Sequence, residues 1–275
     1  MWQRAVVPVA KTPAVMQDYA NTPTPEVVMP SLAKGRTIVN WRHADWAPYP
    51  ALNADAYTWH PIRAMGDGAG FYLMRVAPGG ASEPHRHEAL EGIVILEGEL
   101  VDSDGTVFGE GDCIAYQPGS AHHTASPKGC SMLVWTNGAI TAADADDAPA
   151  DLAKSRACAN WHNADFSLYP SLPANGDPIY WNDVACQNSD TGEGFYIVKF
   201  PPGAASALHE HMGNEEFTIL KGELVDPDGS VYRSGDCVSL EPGTKHFSHS
   251  PNGCVTVACI SGPLRTIHSR KKKAA

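Results

Sequence analysis

Hydrophobic positions along this chain fall into short runs separated by breaks rich in glycine, proline and aspartate. The first series reads FYLMRV (71–76), SEPHRH (82–87), GIVILEGEL (92–100), TVFG (106–109), CIAYQ (113–117), HHTAS (122–126) and SMLVWTN (131–137). The breaks APGG, DSDG, GEGD, QPGS and SPKG carry the residues that tight turns require. None of these runs keeps a helical period. Short strands at this spacing predict an all-β sandwich or barrel. The same order then returns as GFYIVKF, SALHEH, FTILKGEL, SVYR, CVSLE, HFSHS and VTVACIS.

The return is a duplication. His85 and His209, Glu91 and Glu215, His122 and His246, and Cys130 and Cys254 are each separated by 124 positions. Upstream, Asn40-Trp41 and Asn160-Trp161, like Tyr49-Pro50 and Tyr169-Pro170, are separated by 120. The second copy therefore gains four residues between Pro170 and Gly194, in the loop around CQNSDTGEG. A repeat of this length is a duplicated domain rather than a solenoid unit. The expected organisation is an N-terminal arm (1–35), a first domain (36–137), an Ala/Asp-rich linker (138–155), a second domain (156–262) and a basic C-terminal tail (263–275). At 275 residues the chain can give each domain its own core.

The chemistry sits in PHRHEALEGIVILEGELVDSDG (84–105) and LHEHMGNEEFTILKGELVDPDG (208–229). Along an extended strand, side chains two apart share a face. His85 and His87 therefore point one way and Arg86 the other; His209, Glu210 and His211 repeat the arrangement. Glu91 and Glu215 fall on the same parity, and PGSAHH (118–123) and PGTKHF (242–247) add His122 and His246 from another strand. Three imidazoles and a carboxylate form a ligand set for a divalent transition metal, expected in each copy: His85, His87, Glu91 and His122, then His209, His211, Glu215 and His246. Six of the 12 histidines are absorbed in this way. Gly98 and Gly222 read as turn or bulge positions, and Asp102 and Asp226 as shapers of the DSDG and DPDG hairpins. His123 is expected at the surface.

These motifs carry a resemblance. HRHxxxE, LEGxLxDxDG, GDxxxxxPGxxH and the closing SPxGC resemble the two motifs of the cupin superfamily, in the form found in the cupin domain of ChrR-type anti-sigma factors. That subgroup includes relatives resembling acetylacetone-cleaving dioxygenases. The likeness spans about 36–137 and 156–262 and implies two tandem cupin barrels, each a double-stranded β-helix or jelly roll with its metal inside. It implies a non-haem Fe(II) dioxygenase acting with O2 on a small diketone- or hydroxyketone-like substrate; Mn(II), Ni(II) or Zn(II) are the other metals such a site accepts. The alternatives are a metal-dependent sensor without catalysis and a cupin isomerase or decarboxylase. ChrR proteins also carry a zinc-binding helical domain, and residues 1–35 lack its Cys/His pattern, which weighs against a sigma-factor role.

A formal net charge of −11 argues against nucleic acid as the main partner. No stretch approaches the roughly 18 consecutive apolar residues of a membrane span. Prolines interrupt the N-terminal region where a signal peptide needs a continuous apolar core. Seven cysteines without a CxxC motif read as buried thiols of a cytoplasmic protein. The sequence leaves a homo-oligomer open.

Overall fold

The computed structural model describes residues 35–50, 56–66, 69–144, 152–169, 178–188 and 192–267. The arm up to residue 34, the middle of the linker and the basic end of the tail lie outside them. Among the described residues, helical structure is limited to the short 3-10 turns Trp41–His43 and Leu152–Lys154. No helix is long and apolar enough to cross a membrane. The rest is antiparallel β-structure in two large sheets and two three-stranded ones.

The first large sheet orders Arg156–Asn160, Asp112–Tyr116, Glu91–Asp102, Cys130–Thr136, Ala69–Val76, Tyr57–Gly66 and Ala47–Pro48. The second orders Arg36–Asn40, Asp236–Leu240, Glu215–Val225, Cys254–Ile260, Glu193–Phe200, Tyr180–Asn188 and Ser167–Leu168. The two repeats thus build matching sheets, except that each takes its first strand from the other. Arg36–Asn40, which opens the first repeat, pairs with Asp236–Leu240 of the second. Arg156–Asn160, which opens the second, pairs with Asp112–Tyr116 of the first.

Why these strands are apolar almost throughout follows from what covers them. In Cys130–Thr136, Cys130, Met132 and Val134 face the interior of the first barrel, whereas Leu133 and Trp135 face the second repeat. Tyr72, Met74 and Val76 divide from Phe71 and Leu73 in the same way. A sheet buried on both faces carries apolar residues at both parities. The shared core joins Phe71, Leu73, Leu133 and Trp135 to Phe195, Ile197, Val257 and Cys259. One charged pair crosses it. The fully buried Glu216 accepts from the Arg63 guanidinium and from Trp135 Nε1 at 3.0 Å.

Each small sheet holds one His-x-His pair between two partners. His85–His87 lies between Ala121–His122 and Ile140–Ala142. His209–His211 lies between Lys245–His246 and Leu264–Thr266. Part of the expected linker and part of the expected tail therefore form strands that fix the histidines. The strands Tyr57–Gly66 and Tyr180–Asn188 have no counterpart in the sequence expectation; Pro61 and the register shift beside it interrupt the first of them.

Gly98 pairs with Cys130, two residues from the bulge at Leu96 where the register against Ser131 and Met132 shifts. Its φ is +82°, and a Cβ there would lie 2.1 Å from the Gly129 carbonyl oxygen. Gly222 repeats this at φ +81° against Gly253. Gly98→Ala is expected to destabilise the protein by about 1–3 kcal/mol, to be read from chemical denaturation; an unchanged midpoint would refute the close approach. Cys113, Cys130, Cys237, Cys254 and Cys259 are buried free thiols, and Cys158 is an exposed one.

Candidate metal centre

The histidines of each repeat converge because two strands of one small sheet carry them in register. His122 is the cross-strand partner of His85, and His246 that of His209. The imidazole centroids form near-equilateral triangles, with sides of 5.2, 4.6 and 4.9 Å in the first barrel and 4.9, 4.7 and 4.9 Å in the second. The Nε2 atoms of His122 and His209 and both ring nitrogens of His87 are buried without a hydrogen-bond partner. Buried polar atoms are almost always satisfied. A cluster of imidazole lone pairs aimed at one point is what a metal ion would satisfy, and the residues fit one.

The outward nitrogens decide which lone pairs are free. His85 Nδ1 faces the Glu83 carbonyl at 2.9 Å, and His209 Nδ1 the Ala207 carbonyl at 2.8 Å. A carbonyl can only accept, so Nδ1 carries the proton and Nε2 keeps its lone pair. His211 Nδ1 donates to Thr244 Oγ1 at 2.7 Å, whose own hydroxyl is committed to the Glu241 carbonyl at 2.7 Å. His122 Nδ1 lies 2.9 Å from Asp102 Oδ1, and His246 Nδ1 lies 3.1 Å from Asp226 Oδ2. Both aspartates are 2% exposed. Their role as orienters of the third histidine was not read from the sequence, although their spacing of 124 marks them as repeat-equivalent.

The two centres differ at the carboxylate. Glu215 Oε2 lies 2.8 Å from His211 Nε2, 3.3 Å from His246 Nε2 and 3.7 Å from His209 Nε2. All four side chains can place a ligand atom on one ion. In the first barrel the convergent group is His85, His87 and His122. Glu91 lies beside it, with Oε2 3.4 Å from His87 Nδ1, and is not part of the convergent group. One difference across the strand accompanies this. Tyr116 pairs with Glu91 where Leu240 pairs with Glu215. The Tyr116 ring stacks on His87 at 5.5 Å and 6° and lies 4.2 Å from the His122 ring.

The electrostatics diverge accordingly. Burial lowers His85 to about 4, helped by His122, and His87 to about 2. Burial, with the negative Asp102, pushes Glu91 up to about 8. Near pH 7 and without metal, His85 and His87 of the first centre are therefore neutral imidazoles and Glu91 is mostly protonated. In the second, burial would raise Glu215, but the imidazoles of His211, His209 and His246 outweigh it and hold the carboxyl well below its usual range. Burial would lower His246, but Asp226 and Glu215 raise it to about 9. An imidazolium–carboxylate pair results.

Space also separates the centres. His85, Glu91 and His122 form part of the wall of a cavity of about 570 Å³, lined otherwise by Tyr49, Tyr57, Trp59, Tyr72, Met74, Ile93, Leu100, Met132, Val134 and Ile140, among others. The corresponding space beside His209, Glu215 and His246 measures about 40 Å³. Phe217 stands there in the place of Ile93, and Phe200 in the place of Val76. Of the remaining histidines, His123 is exposed, and His249 makes only backbone bridges to Ala205 and Val225.

A duplicated all-β barrel with a buried histidine cluster in each half defines a cupin. The family model for the ChrR cupin-like domain matches residues 34–141 and 173–265, and the chain belongs to that family. Solved structures share the fold. A candidate dioxygenase from Nostoc punctiforme aligns with a TM-score of 0.67 at 9% identity, over 86% of this chain and 87% of that one. A candidate glyoxylate-induced protein from Pseudomonas aeruginosa aligns with a TM-score of 0.58 at 16% identity, over 88% and 93%. No curated protein matches the chain.

Proposed function

We propose that this bicupin is a metal-dependent dioxygenase whose reaction takes place in the first barrel, on a diketone- or hydroxyketone-like substrate with a largely apolar body. The observation that carries this reading is the cavity of about 570 Å³ that ends on His85, Glu91 and His122, set against about 40 Å³ in the second barrel. Ligand pockets fall in the range of ~300–1,000 Å³ and are mainly apolar with a few convergent polar groups. The dioxygenase assignment of the Nostoc punctiforme relative agrees in kind with the reading, at the level of fold.

His85, His87 and His122 would hold the ion in the first barrel, and His209, His211, Glu215 and His246 in the second. A bound divalent metal, Fe(II) in this reading, supplies Lewis acidity towards a ketone oxygen and redox capacity towards O2. The chain does the rest. Tyr49, Trp59, Tyr72, Met132 and Val134 enclose the substrate and exclude water. Glu91, standing on the cavity wall beside the three histidines, is the carboxylate placed to take the acidic proton of an enolisable ketone at Oε2. Asp102 keeps His122 in the tautomer that offers Nε2. The second centre, with a complete ligand set and no room for a substrate, is a structural or sensing metal site in this reading.

The test is metal analysis of protein purified without oxygen, followed by oxygen uptake with a panel of 1,3-diketones and 2-hydroxyketones of increasing apolar bulk. The expected result is iron at one to two per chain, and uptake that rises with substituent size until the cavity is filled. Turnover of a substrate in the absence of oxygen would replace the dioxygenase with an isomerase or decarboxylase. Binding without turnover would leave a sensor.

A further inference from the structure

The exchanged strands carry an arginine at the same position of each repeat, Arg36 and Arg156, separated by the 120 residues of the upstream register. Each enters the barrel of the other repeat. Arg156 Nη1 donates to Asp102 Oδ2 at 2.6 Å, while its Nη2 reaches Asp104 Oδ2 at 3.0 Å and Thr106 Oγ1 at 2.8 Å. The other oxygen of Asp102 holds His122 Nδ1. Arg36 Nη1 donates to Tyr232 OH at 3.0 Å and to Asp228 Oδ2 at 3.0 Å. Tyr232 in turn donates to Asp226 Oδ2 at 2.6 Å, and Asp226 holds His246 Nδ1.

A carboxylate as buried as Asp102 stays ionised only if something compensates its charge, and a cation at hydrogen-bond distance does so. An ionised carboxylate accepts the Nδ1 proton of the histidine, which fixes the ring and leaves Nε2 free for an ion. The two barrels reach this end by different residues. In the first, the hydroxyl on the aspartate comes from Tyr116 at 2.7 Å, and the position equivalent to Tyr232 is Phe108. In the second, Tyr232 donates to Oδ2 and Ser248 Oγ to Oδ1, and the position equivalent to Tyr116 is Leu240. Arg156 therefore touches its aspartate directly, whereas Arg36 acts through a phenol.

We infer that each histidine centre is completed by the opposite repeat: Arg156 is a positioning residue for His122 of the first barrel, and Arg36 one for His246 of the second. The inference rests on the metal-binding reading above. It makes the two centres interdependent, since the aspartate that orients each third histidine takes its arginine from the other repeat.

The experiment uses the full chain in two backgrounds, His209→Ala/His211→Ala to isolate the first centre and His85→Ala/His87→Ala to isolate the second. Co(II) is titrated into metal-free protein and followed by its visible absorption. Arg156→Gln is expected to weaken Co(II) binding by about 10–100-fold in the first centre and to leave the second within about twofold. Arg36→Gln is expected to show the opposite pattern, with the smaller loss because it acts through Tyr232. Arg156→Lys keeps the charge and is expected to recover part of the affinity should the glutamine variant fold poorly. Equal weakening of both centres by one arginine, or no weakening, overturns the inference, because a strand anchor of purely structural value would act without this crossing. A second readout needs no metal: histidine-selective 15N NMR of metal-free protein should show the Nδ1–H signal of His122 move in Arg156→Gln and stay in Arg36→Gln. If neither parent background binds Co(II), the metal reading fails. The NMR shift then decides the positioning role alone, upholding it if present and overturning it if absent.

Discussion

An alanine at His122 is expected to lower oxygen consumption by about a thousandfold, while an alanine at His246 leaves it within a few-fold of the parent. The magnitude follows from removing one of three imidazoles. A bound metal contributes several kcal/mol to the stabilisation of developing charge, and each ~1.4 kcal/mol is a factor of ten. The asymmetry follows from space, not from ligand quality. By geometry the second centre is the better formed, with Glu215 Oε2 within 2.8–3.7 Å of three Nε2 atoms. Yet the cavity beside it holds little more than a water molecule or two, at about 40 Å³. Both substitutions should cost the protein metal, as elemental analysis would show; only one should cost it turnover. Equal loss of activity from the two would mean that the second barrel also reacts, and the cavity argument would fall.

Much of this architecture is legible in the chain. The His-x-His pairs could be placed from strand parity, because a ladder with a period of two puts His85 and His87 on one face whatever the rest does, and the repeat supplied the distal histidine. The turn residues marked out most of the strands. Three features were not accessible. The strand exchange depends on which of two nearly equivalent edges Arg36–Asn40 pairs with, and the two copies offer similar partners. The alternation of Tyr116 with Leu240, and of Phe108 with Tyr232, is visible in an alignment of the repeats. Its meaning needs the position of the aspartate, which the hairpin motif concealed. Finally, the carboxylates Glu91 and Glu215 occupy identical motifs but different environments. Their separation is a tertiary effect of the cross-strand neighbour and of the packing behind it.

That separation gives the second large effect. In metal-free protein, Glu91→Gln is expected to raise stability at pH 8 and above and to leave it unchanged near pH 4. Burial, followed by repulsion from Asp102, raises the Glu91 carboxyl from 4.5 to about 8. A group whose folded value lies above its unfolded one favours the protonated folded state. Its contribution is fully present below about 4.5, declines as the pH rises from there to about 8, and is flat beyond. The ionised carboxylate then costs the fold up to roughly 5 kcal/mol relative to the acid, and the neutral amide avoids that cost. Calorimetry with chelator across pH 4–9 should show the variant unfolding several degrees higher at the alkaline end, and a constant difference across the range would remove the premise. The same substitution separates two roles for this side chain. If Glu91 takes the substrate proton from the cavity wall, Glu91→Gln should keep metal in the first barrel and lose turnover. If it swings inward to join His85, His87 and His122 as a ligand, metal affinity should fall as well. The absence of Glu91 from the convergent group favours the first outcome. A stable, metal-loaded and inactive variant would then show that Glu91 is held, at a cost to the fold, for the reaction and not for the metal.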